Sequence, residues 1–273
     1  MATTLSRSVD SRPTRTQRGV LQRLRISLWM PPLVLISVLA LAWQVTAVEM
    51  PFLLPPLQDV AATLATELPY YLQNAGITLF ESVAGLAIGF VVAFGLAVLT
   101  SESAVIRRAV MPVAVVLNVT PLVAIAPALV VAFGFGAAPK LIITALICFF
   151  PILINTATGL RSVPQQVLQV YRTVRASRLE LLLHVRVPSA LPYVFAALRI
   201  VFPLSIIGAV VAELSAAGAT GGLGTVISTA SSMNQLAVVY ASIFILALLG
   251  VALLGVITLV ERRVLRWHRG TTD

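Results

Sequence analysis

The polar side chains inside apolar stretches are the first candidates for chemistry. Asn118 and Thr120 stand beside Pro121 in the middle of a long apolar run. Polar groups are costly in hydrocarbon, and a proline frees a backbone carbonyl, so both are expected to face protein or a water-filled path. We predict that Asn118, Thr120 and Pro121 line a pathway. The alternative is a packing kink in which Asn118 bonds to a neighbouring helix.

The residues that usually carry catalysis are few and scattered. The three aspartates, Asp10, Asp59 and Asp273, all lie outside the apolar runs, as do His184 and His268. Cys148 is the single cysteine, which excludes an intrachain disulfide and a cysteine-based metal site. We therefore expect no catalytic residues, no metal site and no cofactor.

The elements that must position these residues are membrane helices. The chain has 273 residues, 59% hydrophobic and 11% charged, with mean hydropathy +0.98, whereas soluble chains carry about 25% charged residues. A helix needs about 20 apolar residues to cross a bilayer. We predict an all-α polytopic membrane protein with six transmembrane helices, from the apolar runs at 28–48, 76–100, 109–133, 141–158, 193–212 and 238–260.

Basic residues follow one side of this arrangement. The chain has 18 Arg and a single lysine, Lys140, with a net charge of +9. Seventeen arginines precede the first run, follow the last, or lie in the second and fourth connections between runs, and Arg199 lies just inside the fifth run. Lys140 falls in an outer turn. By the positive-inside rule, both termini are predicted to be cytoplasmic. No basic soluble domain is present that could bind nucleic acid.

These spans divide the chain into five predicted parts. They are a basic cytoplasmic tail at 1–27, a first transmembrane helix at 28–48, an external loop with an amphipathic stretch at 49–75, a five-helix core at 76–260 and a cytoplasmic tail at 261–273.

The connection at 159–191 has helix signals of its own. Ser162–Gln165 and Ser177–Glu180 each fit a capping box, and Pro188 is expected to end the second of two short helices. The connection is also more apolar than a free loop requires, which favours a docking element for a cytoplasmic partner. The alternative is a solvated loop with ordinary caps.

This connection resembles the cytoplasmic "EAA" loop of binding-protein-dependent ABC importer permeases. The similarity rests on Gln169–Arg178 (QVYRTVRASR) and His184–Tyr193 (HVRVPSALPY). Further segments resemble the same family in the same order, and they point to its nitrate, sulfonate, taurine and bicarbonate branch. They are Leu54–Pro56, Thr120–Pro127, Phe133–Gly134, Phe150–Thr156, Gly159–Arg161, Ala212–Leu214 and Gly222–Gly224.

The resemblance implies a type I ABC importer transmembrane domain that forms a pathway with a second permease by alternating access. The partners it implies are two ABC ATPase subunits, an identical or homologous permease, an extracytoplasmic solute-binding protein and the lipid bilayer. It places Glu213, Gly222 and Gly224 in the outer loop before the last span, where we expect an external gate or a binding-protein contact; the alternative for Glu213 is an ordinary interfacial carboxylate. The expected ATPase-coupling residues are Gln165, Gln169, Tyr171, Arg172, Val174, Arg175, Ser177, Leu179 and Glu180.

The sequence departs from the family pattern at the coupling loop. Gln169, Val170 and Tyr171 stand where Glu-Ala-Ala is usual, and Arg175 stands where the family has a glycine. A glycine there would suit a left-handed turn that closes the first short helix, so Arg175 is expected to cost about 1 kcal/mol more.

Two other functional classes are retained as alternatives. An ion-coupled secondary transporter would usually show more buried carboxylates and internal repeats, and an intramembrane enzyme would need a catalytic set within the spans. The sequence has no phosphate-binding Gly-x-x-x-x-Gly-Lys-Ser/Thr loop. Hydrolysis of ATP is therefore expected to be the work of partner subunits, and this chain is not expected to be an enzyme.

Overall fold

A computed structural model describes residues 15–215 and 221–266, with side chains from Met30 onward except that of Arg172. The described residues are helical and contain no strand, as the sequence predicts. The helices are α1 (Arg15–Glu49), α2 (Leu57–Thr66), α3 (Leu68–Glu102), α4 (Ala104–Val119), α5 (Leu122–Phe133), α6 (Ala137–Leu160), α7 (Gln165–Thr173), α8 (Arg178–Leu181), α9 (Val187–Ser215), α10 (Leu223–Ser232) and α11 (Leu236–Val264), and a π-helical turn at Leu182–Arg186 joins α8 to α9.

The chain divides into two compact units after Leu57. The first contains α1, which begins inside the segment predicted as a cytoplasmic tail and continues through Pro31 and Pro32. The segment that follows α1 folds back onto the last turns of this helix. Trp43 Nε1 donates to the carbonyl of Pro55 at 3.0 Å. Gln44 Oε1 also accepts the amide of Leu57 at 3.2 Å.

The second unit is built around α6, which packs against α3 and α9 more extensively than any other two helices pack. Small residues allow this approach. A Cβ added at Gly89 would lie 2.7 Å from the carbonyl oxygen of Ala145, and one at Gly85 would lie 2.5 Å from Cβ of Thr144. The core between these helices consists of apolar residues that include Leu86, Ala93, Ala97, Cys148, Ile152, Leu153 and Val201.

Five of the described helices are long and apolar enough to cross a membrane, and the pair α4–α5 makes a sixth segment if its two halves are counted together. The sequence predicts one continuous helix at 109–133, but α4 and α5 meet at 96°. Thr120 and Pro121 are extended at this break, since proline disfavours helical backbone at the residue before it.

Two other boundaries differ from prediction. Helix α3 begins at Leu68 with a proline in its first turn, so the connection predicted at 49–75 is mostly helical, with α2 in place of the amphipathic stretch. Helix α6 begins at Ala137, so only 134–136 forms the turn that was expected to extend to Lys140. Lys140 therefore lies within a helix.

Candidate functional site

The α7–α8 connection forms two short helices as predicted, but the capping box predicted at Ser162–Gln165 is absent, because the Ser162 hydroxyl donates to the carbonyl of Gly159 at 2.8 Å. Helix α7 ends in a Schellman motif, in which the amide of Ala176 donates to the carbonyl of Tyr171 at 3.0 Å. Arg175 adopts φ +54° at the left-handed position of this motif. The expected strained arginine is therefore present where the family pattern has glycine.

The second short helix begins with the predicted capping box. Glu180 N donates to Ser177 Oγ at 3.2 Å, and Ser177 N donates to Glu180 Oε2 at 2.7 Å. These reciprocal bonds satisfy two amides that a helix start leaves free. The connection is thus a pair of defined helices with a fixed turn between them.

Pro188 does not end this second helix, contrary to the sequence prediction. The π-helical turn at Leu182–Arg186 carries the chain directly into α9, and the amide of Val187 donates to the carbonyl of Leu182, five residues back. The wider turn lets the helix continue past Pro188, which has no amide to donate. Arg186 in this turn forms an ion pair with Glu102 at the end of α3, which ties the connection to the bundle.

Apolar side chains on the α7–α8 connection face outward. Val170, Val174 and Leu179 are 62%, 71% and 63% exposed. Most of the predicted coupling residues share this exposure, and Tyr171 is half-buried. The exposed members are Gln165, Gln169, Val174, Arg175, Ser177, Leu179 and Glu180.

The three predicted pathway residues meet at the break between α4 and α5. Asn118 and Pro121 are exposed, and the hydroxyl of Thr120 donates to the carbonyl of Val116 at 2.6 Å. That these residues line a pathway stays a prediction, as does the alternative of a packing contact through Asn118.

A buried polar cluster occupies the end of the bundle where α6 begins and α9 ends. Lys140 Nζ lies 2.7 Å from Glu81 Oε1 and donates to the carbonyl of Gly221 at 3.3 Å. Glu81 and Lys140 are only 4% and 2% exposed, and Glu213 is 1% exposed. These three ionisable groups come from α3, α6 and α9, so the cluster joins all three core helices.

Neutral groups attach residues 221–224, which comprise the two glycines before α10 and its first two residues, to this cluster; we refer to these four residues as the segment before α10. Glu213 Oε1 accepts the hydroxyl of Thr78 at 2.8 Å, and its Oε2 accepts the amide of Gly224 at 2.5 Å. Thr78 Oγ1 in turn accepts the amide of Leu223 at 2.8 Å, and Asn74 Oδ1 accepts that of Gly222 at 2.9 Å. The predicted trio Glu213, Gly222 and Gly224 is therefore brought together, with Glu213 turned inward.

Sequence reasoning missed the partnership of Glu81 with Lys140, since it assigned Lys140 to an outer turn. A charged side chain in hydrocarbon needs a partner. The sequence signal for this pair is therefore Glu81 inside the apolar run at 76–100 and the single lysine, Lys140, at the border of the run at 141–158. The described residues contain no group of three His, Cys, Asp or Glu side chains placed to hold a metal ion.

Residues 85–266 match the family model described as "Binding-protein-dependent transport system inner membrane component". A "Probable ABC transporter permease protein" of Haemophilus influenzae is 36% identical over 81% of this chain and 91% of its own length. The "Formylaminopyrimidine transport permease protein ThiX" of Halalkalibacterium halodurans is 34% identical, over 87% of this chain and 96% of its own. Permeases named for sulfonate, nitrate, taurine and bicarbonate transport are similar at 28–32% identity.

The fold is similar to that of a chain in an inward-facing structure of the MetNI methionine ABC transporter. The TM-score is 0.61 at 19% identity, and the match covers 74% of this chain and 97% of the other. The chain therefore shares its fold with a chain of an ABC importer of known structure.

Proposed function

The chain belongs to the binding-protein-dependent transport system inner membrane component family, and on this basis we propose that it pairs with a second permease and is driven by two cytoplasmic ATPases. Membership makes it the non-catalytic, multi-pass permease subunit of an ABC importer that works with ATPase and solute-binding-protein partners. The proposal adds the stoichiometry, the orientation and the roles of individual residues.

The observation that carries the proposal is the α7–α8 connection. It exposes Val170, Val174 and Leu179 on two short helices whose relative position is set by the Arg175 turn and the Ser177 cap. A solvated loop gains nothing from such a surface, whereas burial of apolar area yields roughly 25 cal/mol per Å² in a partner groove. This connection is the coupling loop, and each ATPase receives one.

Transport proceeds by alternating access of a pathway that lies between the two permeases. ATP binding draws the ATPases together, and the coupling loops pass that movement to the bundle through the Arg186–Glu102 ion pair and the continuous π turn into α9. Asn118, Thr120 and Pro121 line the pathway at the break between α4 and α5, where two polar side chains lie beside a proline that has no amide to donate.

The outer end carries the gate. Gly222 and Gly224 are held against Glu213, so the segment before α10 moves with α9. Because Glu213 itself is buried, a solute-binding protein would act on this segment through its exposed neighbours, such as Met233. The carboxyl group of Glu213 fixes the gate from within.

The composition of the purified complex tests the proposal. The tagged chain, expressed with its ATPase and any second permease, is expected to give a native mass corresponding to two permeases and two ATPases. A chain that purifies without an ATPase under these conditions would contradict the coupling role. The same preparation should bind ATP only when the ATPase is present.

Cysteine labelling tests the orientation. In a Cys148→Ala background, Thr173→Cys on the α7–α8 connection should be protected from an impermeant maleimide added to intact cells, and Ser231→Cys at the end of α10 should be labelled. Both positions are exposed within the chain, so reactivity reports the side of the membrane. Labelling of Thr173→Cys but not Ser231→Cys would reverse the orientation.

A further inference from the structure

The buried cluster at the start of α6 carries more acid than base. The ionisable groups that face one another there are Glu81 of α3, Lys140 of α6 and Glu213 of α9, each at least nine-tenths buried. The remaining contacts are neutral: the Thr78 hydroxyl, the Gly221 carbonyl and the Gly224 amide. Full ionisation would leave one uncompensated negative charge in a desolvated site, which is strongly unfavourable.

The hydrogen bonds show where this imbalance lies. The carboxyl groups of Glu81 and Glu213 belong to one network, because Thr78, three residues before Glu81 on α3, donates to Glu213 Oε1 at 2.8 Å. Carboxylates only accept hydrogen bonds, so two ionised groups in one buried network repel and cannot bond to each other. Among the described residues, Glu81 Oε2 is a buried oxygen with no hydrogen-bond partner. A buried acceptor of this network therefore lacks a donor.

We propose that this cluster is a proton-binding site, in which Glu213 is protonated and donates its hydrogen bond to the carboxylate of Glu81. The single proton brings the net charge of the three groups to zero and gives Glu81 Oε2 a donor. Two carboxyl groups that share one proton because both cannot ionise side by side are a known arrangement in proteins.

The proton resides on Glu213 because the two carboxyl groups have different neighbours. Glu81 Oε1 forms an ion pair with the ammonium group of Lys140 at 2.7 Å, so Glu81 already has a charged partner. Glu213 receives only neutral donors, the Thr78 hydroxyl and the Gly224 amide. Its other lone pairs and its proton remain available for Glu81.

The bound proton has a structural consequence for the segment before α10, and this consequence rests on the proposed gate. Glu213 holds Gly224, and Lys140 holds the carbonyl of Gly221. With the proton in place, all three core helices and this segment share one neutral network. Without it, repulsion between Glu81 and Glu213 would act directly on the contacts that hold the segment.

Infrared spectroscopy of the purified permease–ATPase complex tests the proposal. A C=O stretching band of a protonated carboxyl group should be present at neutral pH, should shift in D₂O and should disappear in Glu213→Gln. Glu67→Gln, which alters an exposed glutamate, should leave that band unchanged. A spectrum in which Glu213→Gln removes carboxylate bands instead would overturn the assignment, and loss of the band in Glu81→Gln alone would place the proton on Glu81.

Thermal unfolding of the same complex gives a second readout. Glu213→Gln replaces a neutral acid by a neutral amide and should change the midpoint little. Glu81→Gln leaves Lys140 buried without its carboxylate and should lower the midpoint by several degrees, and Glu81→Gln with Lys140→Met should recover most of that loss. Equal destabilisation by Glu213→Gln and Glu81→Gln would show two ionised carboxylates and refute the proton site. Failure of the complex to contain an ATPase would count against the proposed function, but it would leave this spectral result unaffected.

Discussion

The carboxyl group of Glu213 fills the space that a side chain at Gly222 would need. A Cβ built on Gly222 would lie 2.2 Å from Glu213 Oε1 and 2.4 Å from Cδ. Gly222 also has φ +108°, a backbone conformation that is open to glycine and strained for other residues. Space and backbone geometry therefore both require glycine beside this buried acid.

We expect Gly222→Ala to destabilise the permease and to reduce transport stimulated by the solute-binding protein. The added methyl group must displace Glu213 or the segment before α10, at a cost of about 1–3 kcal/mol. The matched control is Gly255→Ala, since a Cβ there meets nothing within 4 Å and α11 is helical. Thermal unfolding and stimulated ATPase activity measure the effect, and equal behaviour of the two variants would contradict this account of Gly222.

Leu179→Asp should separate the permease from its ATPase while leaving it inserted and folded. Leu179 is 63% exposed on the coupling loop, and loss of a central apolar contact at an interface costs about 2–4 kcal/mol, or roughly 30- to 1,000-fold in affinity. Co-purification of the ATPase is the measurement. Met233→Asp is the control because Met233 is equally exposed but lies at the proposed outer end. An ATPase that remains bound to Leu179→Asp would show that the loop is an ordinary connector.

Arg175→Gly should be tolerated, and it should stabilise the coupling loop by about 1 kcal/mol because it removes the strain of φ +54°. Arg175→Ala removes the same side chain but keeps a Cβ in the left-handed region. Comparison of ATPase affinity for the two variants therefore separates backbone strain from contacts of the guanidinium group. Weaker binding by both variants to the same extent would assign Arg175 a direct contact with the ATPase.

Asn118→Cys, in a Cys148→Ala background, should react with a water-soluble thiol reagent, and the reaction should stop transport. The reason is that Asn118 is exposed at the break between α4 and α5, and a polar side chain in a membrane segment is expected to face water or protein. Val131→Cys on α5 is the control, since Val131 is 88% exposed and apolar. We expect Val131→Cys to react only with a lipid-soluble reagent. The opposite pattern would place the pathway on the α5 face.

Local signals in the sequence predicted local structure well. The Ser177 capping box and the left-handed Arg175 turn are set by residues within a few positions of one another, so their patterns are readable without the fold. Glu81 and Lys140 are 59 residues apart, and their contact exists only because α3 and α6 pack closely through Gly85 and Gly89. A contact between helices far apart in the sequence produces no periodic pattern of residues. Lys140 is therefore expected in a loop from the sequence, whereas the structure buries it in α6.

The prolines show a similar division. Pro121 predicts a kink or a pathway residue, whereas the structure has two helices, α4 and α5, that meet at 96° and each contact α6. Pro188 was expected to end a helix, yet a π turn before it keeps the helix continuous. A proline signals that one hydrogen bond is missing, and the surrounding helices determine whether the chain bends or widens its turn to accommodate this.

The bent pair of helices α4 and α5 determines whether the described chain has an odd or an even number of membrane crossings. Each crossing of the bilayer exchanges inside for outside, and the five long helices alone make an odd number. If the bent pair counts as one crossing, the total becomes even, so the two ends of the chain emerge on the same side and the arginine-rich connections fall together. The side of the membrane on which each later connection lies therefore depends on whether the two helices joined at Thr120 and Pro121 cross the bilayer as one span.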